Sequence, residues 1–170
     1  MELFLERWAN FYLVTSTAAA TLIGLLFVVI TIAAERRSRD VAKIRLYLTP
    51  TVVFFSSILG VAALLTFPNH TQLSAATCVG LVGVAGWTCE VSLLVRRGGD
   101  RHAYNYPSEL FEYVGLPVVA YGLLVAGSVF ILRGSQHALT FVAVGLLSLL
   151  TIAIRNSWAI AVDVVSSRPR

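Results

Sequence analysis

Along the chain, polar positions do not alternate with apolar ones. They are swept into short clusters between long uncharged runs. Residues 8–34 are uncharged, as are 46–89, a run long enough for two helices and interrupted by Phe67-Pro68-Asn69-His70. Residues 113–132 and 134–154 complete the set. About 20 predominantly apolar residues carry a helix across a bilayer core. The pattern therefore predicts an all-α integral membrane bundle of one domain, residues 1–170. Its five transmembrane helices are expected near 9–34, 50–67, 72–95, 113–132 and 138–161.

Local signals refine these elements. Trp8, Phe11 and Tyr12 read as an aromatic anchor at the headgroup level, where amphipathic rings collect. Ser16, Ala20 and Gly24, four apart, leave one face of the first span almost without bulk. Such a face suits close helix packing, expected first within the chain and second between copies. Residues 36–48 could form a short interfacial helix with Val41, Ile44 and Leu48 on its apolar face. Thr49-Pro50 then reads as the start of the second span, since proline suits the first helical position. In the third span Gly80, Gly83 and Gly86 lay a shallow groove that invites a neighbouring helix. Ser108 reads as the cap of the fourth helix, with Glu109 and Glu112 in its first turns and Pro117 bending it further on.

Composition supports this reading. Of the 170 residues 57% are hydrophobic and 13% charged, about half the charge of an ordinary globular chain. The polar stretches 35–45 and 96–109 are too short to enclose a soluble core. A net charge of +4 raises nucleic acid as a ligand, but no basic and aromatic surface accompanies it. Lys and Arg instead mark loops. Arg36, Arg37, Arg39, Lys43, Arg45, Arg96, Arg97, Arg101, Arg168 and Arg170 share one side, against Arg7 and Arg133 on the other. The positive-inside bias then places the N-terminus outside and the C-terminus in the cytoplasm. Arg36, Arg37, Arg39, Lys43, Arg45, Arg96 and Arg97 become the expected contacts to lipid headgroups. An N-terminus with Glu2 and Glu6 and no basic start does not read as a cleavable signal.

Chemistry-bearing residues inside the spans are few. Glu90 lies six residues before Arg96 and Arg155 eight before Asp163, which by simple counting sets both at similar depth near the cytoplasmic edge. They could pair through a two-pronged guanidinium–carboxylate contact, or each could snorkel to the headgroups. Asn156, Ser56, Ser57, Trp87, Thr88 and Tyr121 could reach the same layer. Together they would form a cytoplasm-facing polar pocket, or a satisfied network that fixes helix register. His70, His102 and His137 are scattered, Cys78 and Cys89 sit too far apart on one helix to bridge, and no metal-ligand or triad spacing occurs. Neither a cofactor nor enzymatic activity is expected.

The stretch from Ile152 through Arg155-Asn156-Ser157-Trp158 to Val162 resembles an IRNxW-type closing motif. That motif belongs to a family of small, uncharacterised bacterial multi-span inner-membrane proteins. Gly24-Leu25-Leu26-Phe27-Val28 is similar to the same group, so two of the five expected spans carry the likeness. Ser157 and Ala159 stand where the group has Ala and Asp. The resemblance implies the bacterial cytoplasmic membrane and brings no activity. Thr88 to Leu94 is also similar to the third span of Orai-type calcium channels, although the first span here has no acid to line a cation pore. The expected function is thus a non-catalytic accessory or structural subunit, associating with itself or with other membrane proteins. The alternative is a homo-oligomeric channel or transporter built around Glu90 and Arg155.

Overall fold

The computed structural model describes residues 2–35, 41–67, 71–98 and 115–166, with side chains over 8–32, 49–67, 71–92 and 115–162. These residues form five helices: α1 (Glu2–Glu35), α2 (Val41–Leu65), α3 (Gln72–Gly98), α4 (Leu116–Leu132) and α5 (Ala138–Ser166). The fold is all-α. Three stretches, Trp8–Ile32, Gln72–Ser92 and Ala138–Val162, are long and apolar enough to cross a membrane. Thr49–Leu65 and Leu116–Leu132 are apolar but shorter.

Pro50 behaves differently from its sequence reading. Helix α2 runs without a break from Val41 to Leu65, so Pro50 lies inside it rather than at its start. Apolar helices packed among neighbours tolerate an internal proline because its freed carbonyl finds other partners. Pro117 lies in the first described turn of α4, after Gly115, whose dihedrals are also helical. Ser108, Glu109 and Glu112 lie outside the described residues, as do Arg36, Arg37 and Arg39. Lys43 and Arg45 are on α2 and Arg96 and Arg97 on α3, but their side chains are outside the described set.

Helix α4 is the hub of one half of the bundle, with its broadest contacts to α3 and α5. Helix α2 joins the halves by packing on α1 and α5, while α1–α5 and α2–α3 touch lightly. Small residues set the approach of the helices. A Cβ on Gly80 would stand 2.7 Å from Ser128 Oγ, one on Gly83 3.1 Å from the Val125 backbone nitrogen, and one on Gly86 inside the Tyr121 ring. The glycine groove of α3 is therefore filled by α4, as its spacing led us to expect. Gly145 does the same for α5, where a Cβ would meet the Ala120 carbonyl oxygen at 3.0 Å.

On α1 the small-residue face splits. Ser16 turns inward near Tyr12, Ala19 and Leu26, which form the buried stripe. Ala20 and Gly24 face outward, and a Cβ on Gly24 would meet nothing within 4 Å. Packing within the chain thus does not use them. The α4–α5 connection is a Schellman turn: Gly134 takes φ +66°, its N–H reaches the Ile131 carbonyl at 2.9 Å, and the Ser135 N–H reaches the Phe130 carbonyl at 3.0 Å.

Candidate functional site

Tyr121 organises the polar residues of the bundle. It is fully buried on α4, its ring lying in the space that Gly86 leaves open on α3 and 6.2 Å by centroids from Phe54 on α2. The phenol oxygen is 3.0 Å from Ser57 Oγ, and either hydroxyl can donate. Three helices therefore converge on one side chain. Glu90 follows Gly86 by one turn on the same face of α3, and only 5% of it is exposed. That places it one turn beyond the space that the Tyr121 ring fills. Ser57, Tyr121 and Glu90 are thus brought into one neighbourhood.

The other expected members scatter. Ser56 and Thr88 are exposed on the outer faces of α2 and α3, and Thr88 donates to the Val84 carbonyl of its own helix at 2.8 Å. Trp87 is 42% exposed and points away from the bundle. Arg155 is exposed on α5, whereas the next residue, Asn156, is only 4% exposed. Asn156 makes no side-chain hydrogen bond to any described residue.

Contact register gives a measure of depth besides counting along each helix. Gly86 meets Tyr121 and Gly145 meets Ala120, so extrapolating along the helices sets Glu90 opposite Pro117 and Pro117 opposite Ser148. Arg155 then lies about 10 Å further along the bundle axis than Glu90 at 1.5 Å per residue. Helix α4 packs broadly on both α3 and α5 and so stands between the helices that carry the two charges.

Three polar clasps escaped the sequence reading. Tyr12 is fully buried, and its hydroxyl donates to the Leu139 carbonyl of α5 at 3.0 Å. Ser128 donates to the Ala76 carbonyl of α3 at 2.7 Å. Gln72 donates through Nε2 to the Ile131 carbonyl and, at 3.1 Å, to that of Leu132, closing the end of α4. Only the Ser128 clasp carried a hint in the sequence, since a small hydroxyl opposite a glycine groove can reach backbone. Most other span hydroxyls turn back on their own helix. Thr15, Thr17, Thr21, Thr31, Thr77, Ser148 and Thr151 each donate to the carbonyl four residues earlier. Among the described residues, no three His, Cys, Asp or Glu side chains lie together.

Among the described residues, fold and site together define a helical bundle with three helices suited to cross a membrane and one buried carboxyl group near a tyrosine–serine pair. Comparison with known protein families, with curated proteins and with solved structures finds no match to this chain.

Proposed function

We propose that the chain is a non-catalytic, five-span accessory or structural subunit of a membrane assembly, with its N-terminus outside and its C-terminus in the cytoplasm. The observation that carries this is the outward face of α1, where Ala20 and Gly24 are left open while every glycine of the α3 groove is used internally. In lipid, helices associate by close packing at small residues, so an open small-residue face is the natural seat for another helix. The return of span hydroxyls to their own carbonyls supports the same reading, because few reactive groups are left over.

Helices α2 and α4 count as spans because their apolar parts, Thr49–Leu65 and Leu116–Leu132, reach the lower limit of about 17 residues for crossing. Orientation rests on ten Lys and Arg against two. The resemblance at Ile152–Val162 supports the bacterial inner membrane. Cysteine labelling at positions 38, 70, 100, 135 and 168 tests the topology, after Cys78 and Cys89 are replaced. Outside labelling of 70 and 135 alone is expected, and outside labelling of 38 or 100 reverses it.

Affinity purification in mild detergent with mass spectrometry tests the role. A defined complex with another membrane protein is expected. The burial of Glu90 beside Tyr121 and Ser57 favours a second reading, a homo-oligomeric channel or transporter with a polar path at that layer. A ring of identical chains, with ion flux in liposomes lost in Glu90→Gln, would support it over the first.

A further inference from the structure

The seam between α4 and α5 carries a hollow on its outward face. Its volume is about 510 Å³, within the usual span of ligand sites of about 300–1,000 Å³. Leu123, Phe130, Phe141 and Val144 line it, with the Phe130 and Phe141 rings stacked at 4.9 Å. A smaller hollow of about 260 Å³ follows, between Leu116 and Val119 on α4 and Ser148 and Thr151 on α5. Leu116, Leu123 and Phe130 are seven apart, and so are His137, Val144 and Thr151, which keeps both hollows on one face of the seam. From Leu116 to Phe130 the seam measures about 21 Å of helix rise. One leaflet of a bilayer core is about 15 Å deep.

The two ends of this furrow differ chemically. At the inner end the Ser148 and Thr151 hydroxyls donate to the Val144 and Leu147 carbonyls and so have no proton left to donate to a ligand. At the turn end Ser135, His137 and Thr140 line the hollow, and the Thr140 hydroxyl has no partner among the described residues. Arg133 is exposed in the same turn, held there by the left-handed Gly134. An apolar furrow about 21 Å long thus ends at a turn where Ser135, His137 and Thr140 line it and Arg133 is exposed nearby in sequence.

We propose that this furrow is a binding site for an anionic phospholipid, one acyl chain lying along the α4–α5 seam and the phosphate meeting Arg133, His137 and Thr140. The site depends on the chain spanning a membrane and not on its being an accessory subunit. An acyl chain matches the apolar walls, and a phosphate matches the Arg133 charge and the donors beside it. A second protein helix would match the walls but would leave those groups without a counterpart.

The test uses the full chain in nanodiscs holding equal amounts of phosphatidylglycerol and phosphatidylcholine, extracted gently and weighed by native mass spectrometry. One retained phosphatidylglycerol per chain is expected, in preference to phosphatidylcholine. Arg133→Gln, which removes an exposed charge and leaves the backbone hydrogen bonds of the turn in place, should cut that preference about fivefold, the factor one basic group near a membrane surface is worth. Val144→Trp, which fills the furrow, should lower retention of both lipids while helical content stays unchanged. Equal retention of the two lipids, or a preference that Arg133→Gln leaves intact, overturns the proposal. A dimer mass that Val144→Trp abolishes would also overturn it, since the occupant would then be a second copy.

Discussion

At the scale of single residues, two glycines separate what packing demands from what it ignores. At Gly86 any side chain collides with the Tyr121 ring, which Ser57 and Phe54 hold in place. Gly86→Ala should therefore destabilise by about 1–3 kcal/mol, the usual cost of overpacking. At Gly60 a Cβ meets nothing within 4 Å, so Gly60→Ala should be neutral or stabilising by up to about 1 kcal/mol through helix propensity. Thermal unfolding of the two variants in one detergent compares them directly. The α3 glycines were legible in the sequence because their spacing alone says where a neighbour can come close. Tyr12 was not legible. In lipid both the core side and the lipid side of a helix are apolar, so periodicity does not tell which side turns in. Tyr12→Phe should cost about 0.6 kcal/mol, as hydrogen bonds between helices in membranes do. The Glu90–Arg155 pair falls at this scale too. With the offset that register gives them, a double-mutant cycle on Glu90→Gln and Arg155→Gln is expected to return a coupling below about 0.5 kcal/mol. A coupling of several times that would restore the pair and the polar pocket built on it.

At the scale of elements, the long spans were readable and the places where helices begin were less so. Thr49-Pro50 has the chemistry of a helix start, yet α2 passes straight through it. The start signals report what an isolated segment prefers, whereas a helix held by neighbours on two sides extends past such a site. The far end of α4 shows how tertiary contact sets a boundary. Of its last carbonyls, that of Ile131 accepts from the Gly134 N–H, and Gln72 on α3 reaches across to donate to those of Ile131 and Leu132. Gln72→Leu keeps the side-chain bulk and removes the donor. It should cost about 1 kcal/mol, the net worth of a typical hydrogen bond. Amide exchange at Arg133, Gly134 and Ser135 should quicken in that variant while exchange in the middle of α4 does not. Uniform quickening along α4 would mean that Gln72 holds the whole helix and is more than a cap.

At the scale of the molecule, α1 turns one face to the bundle and leaves the other to whatever surrounds it. The buried face carries Tyr12, Thr15, Ala19 and Leu26, and the open one Leu13, Thr17, Ala20, Thr21, Gly24 and Val28. Thr17 and Thr21 bond to their own helix, so the open face is apolar in effect and lowest at Ala20 and Gly24. Lipid alone would be served as well by large aliphatic residues there. Helix contact would not, because packing attraction in a membrane falls off as the backbones are held apart. This asymmetry gives the accessory-subunit reading its sharpest test. Gly24→Leu should leave the unfolding temperature of the isolated chain unchanged or raise it by up to about 4 °C, since leucine gains no more than about 1 kcal/mol of helix propensity over glycine. The same change should remove the co-purifying partner, while Gly60→Leu, placed in open space on α2, should not. If Gly24→Leu leaves the complex intact, α1 faces lipid and the partner surface has to be sought on another helix.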